Sequence, residues 1–219
     1  MYLDITIFLY LKLRQFGGVF LSRLKYAYNL GQAISRLHRA LRSIQEDVKP
    51  YEANLYNQGL EAIPKVKAYS LKYGLSINDA FFDDYKKTFG ELYNKLPKQL
   101  IHGNPTGDSV VYKNGEAVGL KGYEIYNISH IRLFDIIWCA GEVNTQPIES
   151  YLKMFKDILK GYNSLSPLTA EEKQSIYYVL CAAGMNCIAY CGDTLDVSNR
   201  NFKALIFLAD NKEMFMNLI

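Results

Sequence analysis

Long hydrophobic runs are missing from this sequence. No stretch of about 18 consecutive apolar residues occurs, which is the length that a transmembrane helix needs. The apolar segment from Thr6 to Leu11 is too short to span a bilayer. Neither a basic region before it nor a small-residue cleavage site after it marks a signal peptide. We therefore predict that the protein does not associate with membranes.

A strong charge of one sign is missing as well. The 25 Lys and Arg residues nearly balance the 22 Asp and Glu residues, and the formal net charge is +3. Nucleic-acid-binding proteins usually concentrate basic residues in one patch, so we predict no nucleic-acid partner. The 219 residues are 49% hydrophobic and 21% charged, which is typical of a globular chain with a substantial core. No repeat or linker divides them, and this favours a single domain over residues 1–219.

Cysteine is scarce, with four residues. Cys139 lies in an apolar run, and Cys181, Cys187 and Cys191 lie on one predicted helix. No further Cys or His follows them at the spacing of a metal site. The pattern favours reduced, buried thiols over a disulfide framework, and hence a cytoplasmic protein.

Most of the chain has the periodicity of amphipathic helices. In residues 24–44, for example, Leu30, Ile34, Leu37 and Leu41 recur at helical spacing. A helix is predicted at 54–73, interrupted or begun at Pro64, and the next begins after a cap at Ser76 or Asn78 and ends near Tyr93. Another begins at Ile136. Three more are predicted from Pro147 to Gly161, from Thr169 to Gly192 and from Ser198 to Phe215. We expect the 18 tyrosines to fill half-buried helix faces with their hydroxyls in water.

Three carboxylates, Asp79, Asp83 and Asp84, lie in the first turns of the helix that ends near Tyr93. Acidic residues suit the positive end of a helix dipole. This favours a solvated acidic turn over a metal-binding cluster.

Short strands interrupt the helical pattern between residues 99 and 121. They are predicted at 99–101, 109–112 and 117–121. The turn Lys113-Asn114-Gly115-Glu116 joins the last two as a hairpin, because Asn-Gly tolerates positive φ.

The segment His102-Gly103-Asn104-Pro105-Thr106-Gly107-Asp108-Ser109 precedes this hairpin. It resembles the catalytic loop of the aminoglycoside phosphotransferase and choline kinase superfamily, which has a protein-kinase-like fold. The related loop of protein kinases is H-R-D-x-x-x-x-N, in which Asp is the base and Asn holds Mg²⁺. The resemblance implies that Asn104 occupies the base position and Ser109 the metal-ligand position.

A second metal position follows in Gly119-Leu120-Lys121-Gly122-Tyr123-Glu124. By the same resemblance, Gly122 stands where the family has a Mg²⁺-binding Asp, and Lys121 stands where an apolar residue is usual. An Asn amide does not accept a proton as a carboxylate does, and Mg²⁺ prefers anionic oxygen ligands. The catalytic groups are therefore degenerate. Glu124 is the residual ligand that the resemblance offers, with Asp108 as a weaker choice.

Residues that support the loop remain. The resemblance implies that His102 braces the loop and that Asp135, in Arg132-Leu133-Phe134-Asp135, accepts hydrogen bonds from the loop backbone. The segment Leu30 to His38 resembles the helix of aminoglycoside phosphotransferases that ends in Leu-His. His38 is expected to pack and to form hydrogen bonds rather than to catalyse.

The fold class implied is α+β and predominantly α-helical: the large C-terminal lobe of the protein-kinase-like fold with a small β-hairpin sheet, and with the N-terminal nucleotide-binding lobe missing. Neither Lys12 nor Lys25 lies where a phosphate-binding lysine would. Residues 1–23 are then a hinge-like remnant, 24–96 and 136–219 are helical, and 97–135 hold the degenerate catalytic and metal loops.

The function implied is that of a catalytically inactive, pseudokinase-like protein with at most a binding role and no cofactor. The alternative is a phosphotransferase that uses ATP and Mg²⁺ to modify a hydroxyl of a small molecule such as an aminoglycoside or choline. A homo-oligomer or another partner would cover the face left by the missing lobe. The sequence does not identify a small-molecule ligand.

Overall fold

The computed structural model describes residues 17–105, 109–114, 116–122, 128–141, 148–191 and 195–219. Within these ranges, side-chain surroundings are described for residues 26–190 and 201–219. Pro147, Gly192, Gly115 and residues 1–16 lie outside the described residues, so the predictions that fall on them stay predictions.

The described chain is mostly helical with small sheets, which confirms the predicted class of a predominantly helical α+β protein. The helices are α1 (Gly17–Ser43), α2 (Leu55–Lys72), α3 (Asp79–Asp84), α4 (Gly90–Tyr93), α5 (Leu133–Ala140), α6 (Ile148–Leu165), α7 (Ala170–Cys191), α8 (Leu195–Asp210) and α9 (Lys212–Met216). A 3₁₀ turn (Gln45–Asp47) follows α1, and a π turn (Tyr85–Phe89) joins α3 to α4. The strands are β1 (Tyr51–Glu52), β2 (Lys98–Ile101), β3 (Val110–Lys113), β4 (Glu116–Leu120) and β5 (Ile128–Ile131).

The described helices include none that is long and apolar enough to cross a membrane.

Contacts divide the chain into two compact units. The first comprises the described residues of Asn54–Leu96 and Ala170–Leu218, and the second comprises those before Asn54 and those of Pro97–Thr169. The predicted single domain over residues 1–219 stays a prediction.

The sheet of the second unit has the strand order β1-β5-β2. β5 runs parallel to β1 and antiparallel to β2, with Leu100 opposite Ser129. β3 and β4 form a separate hairpin, and Asn114 in its turn has φ 52, as the predicted turn requires. The three predicted strands are confirmed to within about one residue at each end. β1 and β5 were not predicted, because neither alternates polar and apolar residues over enough positions.

The core of the second unit forms where α1 crosses α6. Leu30 and Ile34 of α1 are fully buried, as are Phe155 and Ile158 of α6. Burying one such side chain contributes about 1.5–3 kcal/mol. The backbones approach closely at Gly31, where a Cβ atom would overlap the carbonyl oxygen of Ile158. The helix predicted for 24–44 is confirmed; it begins earlier, and the backbone is non-helical at Tyr26.

The first unit packs α2 against α7. The expected interruption of α2 at Pro64 is wrong, because the helix runs unbroken from Leu55 to Lys72. The Asn54 side chain caps it by accepting from the amide of Asn57. Burial of Ile63 and Val66 on either side of the proline offsets the hydrogen bond that Pro64 does not donate.

The next helical run begins at one of the two predicted caps. The Asn78 side chain accepts from the amide of Ala80 at 2.9 Å. The last long helix, α8, begins at Leu195 rather than at Ser198.

Tyrosines pack much more deeply than expected. Tyr85, Tyr93, Tyr151 and Tyr177 are at most 2% exposed, so the prediction of half-buried rings with hydroxyls in water is wrong for them. The Tyr93 hydroxyl accepts from the backbone amide of Leu55, and burial raises the pKa of Tyr93 to about 12. Helical periodicity indicates which face is buried but not how deeply.

Candidate functional site

The Asp135 carboxylate binds the first two residues of the loop that follows β2. It belongs to the first turn of α5 and is fully buried. One carboxylate oxygen, Oδ2, accepts the backbone N–H of His102 at 2.7 Å, and Oδ1 accepts the N–H of Gly103 at 2.8 Å. Gly103 has φ 79, a left-handed conformation that glycine adopts without strain. These are the backbone contacts that the resemblance implied for Asp135.

A second helix reaches the same carboxylate. Oδ2 of Asp135 also accepts Nε2–H of His38, at 2.9 Å. The other ring nitrogen, Nδ1, lies 2.9 Å from the Tyr162 hydroxyl, which donates to it when the ring is neutral. His38 is 2% exposed, so this chain of hydrogen bonds is enclosed. His38 thus packs and forms hydrogen bonds as expected, and it links α1 and α6 to the loop.

His102 connects the loop to the hairpin. Its Nε2–H donates to the carbonyl oxygen of Lys121 at 2.9 Å, while its Nδ1 accepts the backbone N–H of Asn104 at 3.2 Å. The side chain is fully buried. Both ring nitrogens are therefore used, and the ring holds the end of β4 against the loop. This geometry is that of a bracing residue, as the resemblance implied.

The side chain of Asn104, for which the resemblance predicts the base position, is engaged by another part of the protein. Its Oδ1 accepts the indole N–H of Trp138 at 3.2 Å, and the residue is 9% exposed. An amide oxygen in this bond does not take a proton from a hydroxyl. The side chain therefore connects the loop to α5.

The two predicted metal positions within the described residues offer no anionic oxygen. The Ser109 hydroxyl donates to the backbone carbonyl of Asn104 at 3.2 Å and closes the loop between them. Gly122, with φ 91, has no side chain. Glu124 and Asp108 lie outside the described residues, so their proposed roles stay predictions.

The donor set in the described part of the chain does not fit Mg²⁺, which prefers several oxygen ligands, often anionic, in octahedral geometry. Asn104 and Ser109 direct their oxygens to protein partners, and Asp135 is already bonded to two backbone amides and to His38. Among the described residues, no group of three or more His, Cys, Asp or Glu side chains could hold a metal ion.

An aromatic stack supports this loop, and sequence reasoning missed it. The Trp138 ring stacks on Phe134 with centroids 5.4 Å apart, and Phe134 packs on His130 at 4.7 Å. Burial lowers the pKa of His130 to about 4, so this imidazole is neutral in the folded protein near pH 7. The spacing of four residues between Phe134 and Trp138 on a helix was the available signal.

The acidic turn of the first unit is more ordered than predicted. The Asp84 carboxylate accepts from Lys212 at 2.8 Å, from the Thr88 hydroxyl at 2.9 Å and from the Tyr178 hydroxyl at 3.1 Å. Burial by itself would raise the pKa of Asp84, but the hydrogen bonds outweigh it and hold the pKa below its usual range. Asp79 pairs with Lys67, in an exposed contact. A solvated turn is therefore the wrong description of Asp84.

The cysteines with described surroundings are not in disulfides. Cys139 and Cys181 are buried as predicted, whereas Cys187 is half-buried. The side chain of Cys191 lies outside the described surroundings.

No protein-family model matches this chain, and no curated protein matches it either.

Proposed function

We propose that the second unit is a pseudokinase-like domain related to aminoglycoside phosphotransferases, which keeps the frame of a catalytic loop and does not transfer phosphate. Its role is to bind a partner or ligand in the cytoplasm, without nucleic acid. Assembly with a second copy or another partner is part of the proposal.

The hydrogen bond between Asn104 and Trp138 is the observation that carries this proposal. It turns the position of the general base into a structural contact between the loop and α5. Ser109 closes the loop in the same way. Phosphoryl transfer depends on positioning and on neutralisation of charge by metal ions, so a loop with these contacts lacks what the reaction requires.

Retention of the Asp135 contacts supports the same proposal. The carboxylate holds two consecutive loop amides, His102 and Gly103, although residues 102–105 and 109, the part of the loop that the structure describes, contain no carboxylate. Burying a carboxylate without partners costs several kcal/mol, so the two loop amides and His38 are what allow Asp135 to be buried here. These contacts hold the loop in a fixed shape, which suits a binding role.

Binding of Mn²⁺ and of nucleotide tests the proposal. Trp138 is the one tryptophan of the chain and contacts Asn104, so a paramagnetic ion at the loop would quench its fluorescence. We expect no saturable quenching by Mn²⁺ and no Mg²⁺-dependent stabilisation by ATP. A nucleotide present at about 100 times its Kd would add about 2.7 kcal/mol to the free energy of unfolding, a Tm rise of several degrees.

The control restores two of the missing groups. The variant Asn104→Asp/Ser109→Asn is expected to bind Mn²⁺ with quenching of Trp138, and Gly122 is kept because its φ of 91 disfavours a side chain. Measuring the Tm with ATP in the presence of EDTA, which removes divalent metal ions, separates nucleotide binding from metal binding. Saturable Mn²⁺ quenching of the unmodified protein, or a rise in its Tm with ATP only when Mg²⁺ is present, would favour the phosphotransferase and refute the proposal.

A further inference from the structure

The first unit contains a surface cleft of about 370 Å³ that the proposed function does not involve. Its walls include Ile77 and Phe81, from the loop before α3 and from α3 itself, and Ile206 from α8. Its charged lining consists of Asp84, Asp210 and Lys212. The volume falls within the range of small-molecule sites, about 300–1,000 Å³, and an apolar wall with a few polar groups is the usual composition of such sites.

One ion pair in the cleft is already satisfied internally. Lys212 donates to Asp84 at 2.8 Å, and its ammonium lies 5.8 Å and 5.2 Å from the ring centroids of Tyr177 and Tyr178. The charges of this pair cancel, so neither member attracts an outside ion strongly. The pair also shows what the lining stabilises, namely an ammonium group held by a carboxylate and by aromatic faces.

Asp210 remains as the uncompensated charge of the cleft. It is the last residue of α8, whose last turn has no basic residue, and it is exposed. A carboxylate at the negative end of a helix is electrostatically unfavourable. No cationic side chain in the described part of the chain forms an ion pair with it. The cleft therefore has a net negative charge beside an apolar wall.

The backbone next to the cleft is unusual as well. The π turn Tyr85–Phe89 begins directly after Asp84, and Thr88 of that turn donates to the Asp84 carboxylate. Such turns inside α-helices are frequent at functional sites. Here the turn places the Thr88 hydroxyl within hydrogen-bonding distance of Asp84, which lines the cleft.

We propose that this cleft binds a small organic cation with an apolar body, its ammonium group beside Asp210 and its body against Ile77, Phe81 and Ile206. An anion is disfavoured, because Asp84 neutralises Lys212, the one cation among the described lining residues. The inference concerns the first unit alone and does not depend on the proposed function of the second.

The experiment titrates the full chain, labelled with ¹⁵N, with benzyltrimethylammonium and follows the amide resonances. We expect saturable shifts at Ile77, Phe81 and Ile206 with a Kd of about 1 mM, as the size of the probe permits. The neutral analogue benzyl alcohol is expected to bind about ten-fold more weakly, since it lacks the charge. Added salt should weaken binding of the cation only.

Two variants test the role of the charge. Asp210→Asn is expected to weaken binding of benzyltrimethylammonium about five- to ten-fold. Glu91→Gln removes one exposed carboxylate of the same unit, outside the cleft, and should leave the Kd within about two-fold. Equal affinity of the Asp210→Asn variant, equal binding of benzyl alcohol, or shifts confined to other residues would each overturn the proposal.

Discussion

Replacement of Asp135 by asparagine should destabilise the second unit strongly. The carboxylate accepts three hydrogen bonds, at 2.7 Å from His102 N–H, at 2.8 Å from Gly103 N–H and at 2.9 Å from His38 Nε2–H. An asparagine keeps one acceptor oxygen and places an NH₂ group against at least one of these donors. A hydrogen bond to a charged group contributes about 1.5–3 kcal/mol, and breaking a buried charged contact costs about 3–5 kcal/mol. We expect a loss of about 3–5 kcal/mol in the free energy of unfolding.

Urea unfolding followed by the fluorescence of Trp138 measures this loss. Trp138 is the one tryptophan of the chain and lies on the same helix as Asp135, so its emission reports the unit in question. The matched control is Asp157→Asn on α6. Asp157 pairs with Lys153 at 2.8 Å on the surface of that helix, and removal of such a pair should cost less than about 0.5 kcal/mol.

A double-mutant cycle tests whether His38 is a stabilising partner of Asp135. His38→Ala, Asp135→Asn and the double variant should show a coupling energy of about 1 kcal/mol or more, because the two side chains share a buried hydrogen bond. If Asp135→Asn costs no more than Asp157→Asn, the carboxylate does not hold the loop. The account of a preserved loop frame would then fail.

Two further predictions concern the same unit. His130 has a folded-state pKa of about 4 against an ordinary value of 6.5, so the unfolded chain alone takes up the proton as the pH falls from 6.5 to 4. The free energy of unfolding should decrease over that window by up to about 3 kcal/mol. In a His130→Phe variant, measured by urea unfolding at each pH, this part of the decrease with falling pH should disappear. If the variant shows the same pH dependence as the unmodified protein, the burial argument is wrong. Gly31→Ala should cost about 1–3 kcal/mol by the same measurement, because its Cβ atom meets the backbone oxygen of Ile158, whereas Gly119→Ala, which has open space, should have little effect. Equal effects of the two alanines would refute the close approach of α1 and α6.

The helices and the hairpin could be predicted from the sequence because their signals are local. Leu30, Ile34 and Leu37 repeat at helical spacing, and Asn114 supplies the positive φ of a tight turn. The resemblance implied the contacts of Asp135 with the loop amides, but its full burial was not predicted. Pro64 misled the prediction, because the burial around it outweighed its own tendency to end a helix.

The partners of individual side chains could not be predicted in this way. His38 and Asp135 are 97 residues apart, and Lys212 and Asp84 are 128 apart. Periodicity indicates which face of a helix is buried, but not which other element packs against that face. The bond between Trp138 and Asn104, on which the proposed loss of catalysis depends, is of this kind.

The sequence by itself determined the helical segments, the hairpin and the absence of carboxylates at positions 104, 109 and 122, because these depend on residue type and local spacing. Only the tertiary structure decided what those positions do instead. The Asn104 side chain accepts from Trp138 of α5, Ser109 donates to the backbone of Asn104, and distant elements supply the other partners that hold the loop. Hydrogen bonds between such elements arise when the core packs, since packing of apolar faces is what brings the partners within reach.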